Sequence, residues 1–189
     1  MNGKPTKKEA INLLKKYNES EALIRHGINV SFVMEHFAKL MGEDVEQWGV
    51  IGLLHDLDYE KYPEEHCKKV VELLKDEGVC DEYITSVVSH GYGLCADVKP
   101  EHEMEKVLYA IDELTGLINA AALMRPSKSV MDIEYKSVIK KYKNPSFAAG
   151  VDRNVIEKGC EMMGKDLQYV IDQVILGMRD AETHMNDWL

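Results

Sequence analysis

The stretch Val50-Ile51-Gly52-Leu53-Leu54-His55-Asp56-Leu57 is an apolar run interrupted only by an imidazole and a carboxylate standing side by side. Its aliphatic residues predict a buried helix over 44–56, with His55 on the same face as Trp48, Ile51 and Gly52. A neutral imidazole and a carboxylate are borderline and hard ligands, suited to Zn, Fe, Mn or Mg rather than to a thiolate-seeking metal. Two adjacent residues are a weak signal alone. The rest of the chain strengthens it, because His26 lies upstream and His66, His90 and Asp112 follow. The candidate ligands therefore run in the order His, His-Asp, His, His, Asp.

Outward from that run the periodicity is helical almost throughout. Leu167, Val170, Ile171, Val174, Ile175 and Met178 mark an amphipathic C-terminal helix. Helices are expected near 6–17, 19–41, 44–56, 63–77, 81–90, 102–124, 129–142, 152–163 and 166–182. Strand-like alternation is absent apart from an ambiguous patch at Tyr83–Val88. Pro63 fits a first helical turn, Gly78 a helix stop, and Pro100 precedes the helix carrying Asp112. Gly91-Tyr92-Gly93-Leu94 reads as a loop, and Arg125-Pro126-Ser127-Lys128 as the end of one helix and the cap of the next. The expected fold class is all-α, in a single domain.

The same periodicity aims the candidate ligands inward. His26 shares its stripe with Val30, Val33, Phe37 and Leu40; His66 lines up with Val70, Leu73 and Leu74; His90 follows Tyr83 and Val87. Asp112 follows Leu108, with Thr115 and Asn119 after it. One inward histidine is ordinarily a satisfied core residue, but so many coincidences are not. Buried carboxylates are costly unless paired or metal-bound, so Asp56 and Asp112 call for a cation. His102 and His184 read as solvated, and His36 as structural.

Composition sets outer limits. The chain has 189 residues, enough for a sizeable core without staples. Its net charge of -10 argues against nucleic-acid and anionic-membrane partners, which need a basic field. Cys67, Cys80, Cys95 and Cys160 show no CxxC pairing and read as reduced thiols. Met1–Lys8 has no apolar stretch behind it long enough for a signal peptide, and no window approaches a membrane span. A soluble, cytoplasmic protein is expected.

The ligand pattern resembles the HD-domain superfamily of metal-dependent phosphohydrolases. The matching residues are His26 in Leu23-Ile24-Arg25-His26, His55-Asp56 in Leu53-Leu54-His55-Asp56-Leu57-Asp58, and Asp112 in Ala110-Ile111-Asp112-Glu113-Leu114. The resemblance implies an HD-domain helical bundle over about 20–125, followed by a C-terminal helical extension over about 126–189. It also implies that His26, His55, Asp56 and Asp112 hold a first divalent metal. His66 and His90 stand where the binuclear branch brings a second, with Asp56 bridging. That branch includes diadenosine tetraphosphate hydrolases and cyclic-di-nucleotide phosphodiesterases. Ser89-His90-Gly91 lacks the consecutive histidines of the latter, and Gly91-Tyr92-Gly93 is not their Gly-Tyr-Pro signature, which argues against a cyclic-di-nucleotide substrate.

The implied chemistry is attack of metal-activated water on a phosphate ester or anhydride of a nucleotide or other small phosphorylated metabolite. Asp56 and Asp58 are the expected catalytic carboxylates. Arg25, Lys61 and Thr115 are the expected substrate contacts, with Lys99, Arg125 and Lys128 as further basic residues near the motif. Two metal ions are expected, with Fe, Mn, Zn, Co, Ni and Mg not distinguished. A non-catalytic metal- or nucleotide-binding module and a di-iron oxygenase on the same fold remain the alternatives. Oligomeric state is open.

Overall fold

In the computed structural model, which describes residues 3–189, the chain forms nine α-helices and, among the described residues, no strand. Met1 and Asn2, part of the stretch considered for a signal peptide, lie outside the described residues. The helices are α1 (Lys7–Tyr17), α2 (Glu21–Met41), α3 (Val45–Leu54), α4 (Lys69–Asp76), α5 (Asp81–Ser89), α6 (Glu103–Leu123), α7 (Tyr135–Tyr142), α8 (Arg153–Met163) and α9 (Leu167–Trp188). The all-α expectation holds, and the ambiguous patch at 83–88 is helical within α5.

Local chemistry sets many of the ends. Asp44, Asp152 and Asp166 accept backbone N–H bonds at the starts of α3, α8 and α9. His102, expected to be merely solvated, caps α6 by accepting from the Met104 N–H. Gly42 and Gly164 close α2 and α8 in the left-handed conformation that glycine adopts without strain.

The core is assembled on α2 and α6. Every residue of α2 from Gly27 to Glu35 is buried, because α3, α6 and α9 all pack on it. Two of these contacts bring backbone against backbone. A Cβ on Gly52 of α3 would lie 2.7 Å from the Ser31 Cα, and one on Gly177 of α9 would lie 2.7 Å from the Val33 Cα. The first approach matters for function, since it seats the end of α3, and hence His55, beside His26. Lys7 of α1 pairs with the largely buried Glu35 of α2 at 2.5 Å and lies over the Phe32 and Trp188 rings, joining α1, α2 and α9.

Three sequence expectations are corrected. The expected helix over 63–77 is a 3-10 turn at Pro63–Glu65, a break through His66 and Cys67, and then α4. The break has a clear cause: Cys67 is left-handed at φ 65°, and the buried Asp58 carboxylate takes the Val70 N–H that begins α4. The expected helix over 129–142 starts only at Tyr135. Ahead of it, Arg125 and Ser127 grip Asp132, while Ser129 and Val130 bond Glu182 of α9, so Ser127 and Lys128 cap nothing. Finally, α3 ends at Leu54, which leaves His55 and Asp56 on the turn beyond it.

Candidate metal centre

The six candidate ligands come from α2, the ends of α3 and α5, the break before α4, and α6. At the first set, His26 Nε2 lies 2.8 Å from Asp112 Oδ1, and His55 Nε2 lies 3.3 Å from both Asp56 Oδ2 and Asp112 Oδ1. The second set is turned to the other oxygen of Asp56. His66 Nε2 and His90 Nε2 lie 3.5 and 3.6 Å from Asp56 Oδ1 and 3.2 Å from each other. Within each set, one donor atom per residue lies within 4.8 Å of all the others.

Helix ends explain the aim of two histidines. His55 and His90 stand at the C-caps of α3 and α5, where carbonyls lack intrahelical partners. Each donates its Nδ1–H to the carbonyl three residues back, Gly52 at 2.8 Å and Val87 at 2.5 Å. That bond fixes a proton on Nδ1 and turns Nε2 toward the carboxylates, the orientation of metal-ligating histidines. His66 is oriented differently, through Nδ1 to Asp58 Oδ1 at 2.8 Å.

The electrostatics ask for a cation. His55 is fully buried, and its Nε2 makes no aligned hydrogen bond although two carboxylates flank it. An imidazole nitrogen buried and unpartnered between carboxylates fits a divalent ion of the imidazole–carboxylate class. Burial opposes charge on His55, but Asp56 and Asp112 outweigh it and hold its pKa well above the ordinary imidazole value. Burial likewise opposes ionisation of Asp56 and Asp112, and the neighbouring histidines overcome it, holding both well below the usual carboxylate range. A proton on His55 thus supplies the positive charge that a metal would otherwise provide.

His26, Asp56, His66, His90 and Asp112 line a cavity of about 450 Å³, with His55 buried out of its reach. Leu23, Tyr59, Leu94 and Tyr109 give it apolar and aromatic walls, and Gly150 and Val155 bring the C-terminal part of the chain to its rim. Glu113 also lines it, with burial, then Asp112, pushing its carboxyl up to about 7. In the sequence Glu113 stands only as a neighbour of Asp112 in the motif, and the other wall residues carry no comparable signal. Adjacency to Asp112 was the one signal that pointed to Glu113.

The residues expected to contact substrate lie elsewhere. Arg25 is bonded to Glu21 at 2.8 Å, Lys61 and Lys99 are exposed, and none of them lines the cavity. Thr115 is fully buried, its hydroxyl turned into the core, while Glu113 and Gly116 occupy the cavity face of α6. Asp58, expected as a catalytic carboxylate, is buried and does not line the cavity; one of its oxygens is bonded to His66 and the other accepts the Val70 N–H. Asp58→Asn is therefore expected to weaken the second metal equivalent by about 10–100-fold while sparing the first, which stepwise metal titration would reveal.

A sequence model described as the HD domain matches residues 23–143, more than half of the chain and past residue 125 to the end of α7. No curated protein and no solved structure matches the chain.

Proposed function

The chain belongs to the HD domain family, and from that premise we propose that it is a metal-dependent phosphohydrolase. Its substrate is a small phosphorylated metabolite, a nucleotide among them, cleaved at an ester or anhydride bond. The observation that carries this reading is the division of Asp56, whose Oδ2 faces His26 and His55 while Oδ1 faces His66 and His90 at the base of an open cavity. In this reading His26, His55, Asp56 and Asp112 hold one divalent ion, and Asp56, His66 and His90 hold another. Such ions supply Lewis-acid polarisation of a phosphoryl oxygen and bring the pKa of coordinated water to about 7.

The chain's own residues define the remaining chemistry. No lysine or arginine among the described residues lines the cavity, so in this reading an anionic phosphate meets positive charge on its floor. Substrate binding and metal binding are then one event. Leu23, Tyr59, Leu94 and Tyr109 offer apolar surface to the rest of the molecule. In the metal-free chain burial, then Asp112, pushes the Glu113 carboxyl up to about 7, which makes it the cavity group suited to pass a proton to a leaving oxygen; bound cations would act against that rise.

We read residues 1–189 as one domain, since Gly150 and Val155 wall the same cavity and α9 packs along α2. No helix among the described residues is long and apolar enough to cross a membrane. Four free thiols support a reducing, cytoplasmic setting. The test is phosphate release by Mn²⁺-loaded protein from a panel of mononucleotides, dinucleoside polyphosphates and sugar phosphates. Metal-dependent release from at least one is expected. No release from any, with oxygen uptake by the Fe²⁺ form, would move the assignment to an oxygenase.

A further inference from the structure

Beside the second set lies a pair of thiols that phosphate hydrolysis does not use. Cys67 is buried, Cys95 is half-buried, and both are free. Their sulfurs and a ring nitrogen of His66 lie within 4.8 Å of one another, and Cys67 Sγ is 3.9 Å from His90 Nε2. Two irregular pieces of backbone bring the thiols together. Cys67 occupies the left-handed region at φ 65°, a strained conformation for a residue other than glycine. Cys95 is carried back by a tight turn in which the N–H groups of Leu94, Cys95 and Ala96 all donate to the Gly91 carbonyl at 3.0 Å. Gly91 itself sits between the two sulfurs, and a Cβ there would collide with both. Only glycine lets the thiols meet.

We propose that His66, Cys67 and Cys95, with His90 in reach as a fourth donor, form a subsite for a thiophilic divalent ion, zinc above all. Two thiolates with one or two imidazoles are a zinc donor set, softer than the imidazole–carboxylate sets beside it. The subsite is coupled to its neighbour through one atom. His66 Nδ1 is committed to Asp58, so His66 can ligate only through Nε2, the nitrogen that also faces Asp56 and His90, and it can join one ion or the other but not both. A zinc ion bound by the thiolates withdraws His66 from the second hydrolytic position. Metal supply then sets the composition of the centre. The thiolate subsite stands on its own residues, whereas this consequence rests on the hydrolase reading.

The test is anaerobic titration of the reduced full-length protein with Co²⁺, followed by absorption. Sulfur ligation gives an intense thiolate-to-cobalt charge-transfer band that imidazole and carboxylate ligands do not give. The band is expected in the wild type, absent in Cys67→Ser and Cys95→Ser, retained in Cys80→Ser and Cys160→Ser, and bleached by one equivalent of Zn²⁺. A wild type without the band at any loading would overturn the subsite, and that result needs no variant to fold. So would a band of equal strength in both Cys67→Ser and Cys95→Ser. His26→Ala, which damages only the first set, should keep the band, so failure of the hydrolase reading leaves this result untouched. For the coupling, one equivalent of Zn²⁺ should lower bound Mn²⁺ from two per chain to one in the wild type but not in Cys67→Ser. Retention of two Mn²⁺ alongside bound zinc would overturn the exclusion.

Discussion

Asp56→Ala is expected to release both metal ions together, which no other single substitution should do. Asp56 is the one residue common to the two imidazole–carboxylate sets, with a different oxygen turned to each. Loss of a partner that merely supports a ligand costs about 10–100-fold in metal affinity, so loss of a ligand shared by both positions should exceed about 100-fold at each. Metal content after desalting would then fall to near zero, and hydrolysis with it. His90→Ala should lose one equivalent and keep the other. His102→Ala should retain both, since His102 lies outside the cavity, but should cost about 0.5–2 kcal/mol of stability through the lost α6 cap. An Asp56→Ala protein that still holds one ion firmly would show that the two sets are not joined through this carboxylate.

Metal removal should be the second large effect. An ion present at 100–1,000 times its dissociation constant stabilises the folded chain by about 2.7–4.1 kcal/mol per site. For a chain of this size each kcal/mol moves Tm by about 2–4 °C, so chelation should lower Tm by about 5–15 °C for each site emptied. The metal-free protein should also respond to pH in two directions. Asp56 and Asp112 have depressed pKa values, so their contribution is present above the ordinary carboxylate range and is lost as pH falls through the folded values. His55 has a raised pKa, so its contribution is full below about 6.5 and is lost as pH rises through the folded value. Because His55 must shed that proton to ligate, metal uptake should release protons and tighten with pH. Calorimetry in buffers of differing ionisation enthalpy would register the release. A Tm unchanged by chelation would place the cations outside the folded core.

What the sequence made legible was whatever depends on local periodicity. The stripe Val30, Val33, Phe37 carries His26 inward because α2 is a regular helix over that span, and α6 carries Asp112 for the same reason. The run Glu64–Asp76 misled, because its apolar spacing is helical while a residue remote from it, Asp58, takes the N–H that starts α4. His66 reaches the cavity through that break and not through a helical face. Thr115 misled for another reason: α6 is buried on nearly every side, so an apolar stripe does not identify the face that meets the cavity. Arg25 immediately precedes the ligand His26 in sequence but turns away from it in space, toward Glu21 one helical turn back. Cys67 and Cys95 read as ordinary reduced thiols because their meeting depends on a left-handed backbone and a glycine between the sulfurs, neither of which has a periodic signature.

The most direct measurement is Mn²⁺ bound per chain after anaerobic reconstitution and desalting of the wild-type protein. Manganese suits oxygen and imidazole donors over thiolates, so it reports on the sets joined at Asp56. Two equivalents per chain are predicted. One equivalent or none, under conditions in which the protein is folded, would contradict a binuclear centre built on His26, His55, Asp56, His66, His90 and Asp112.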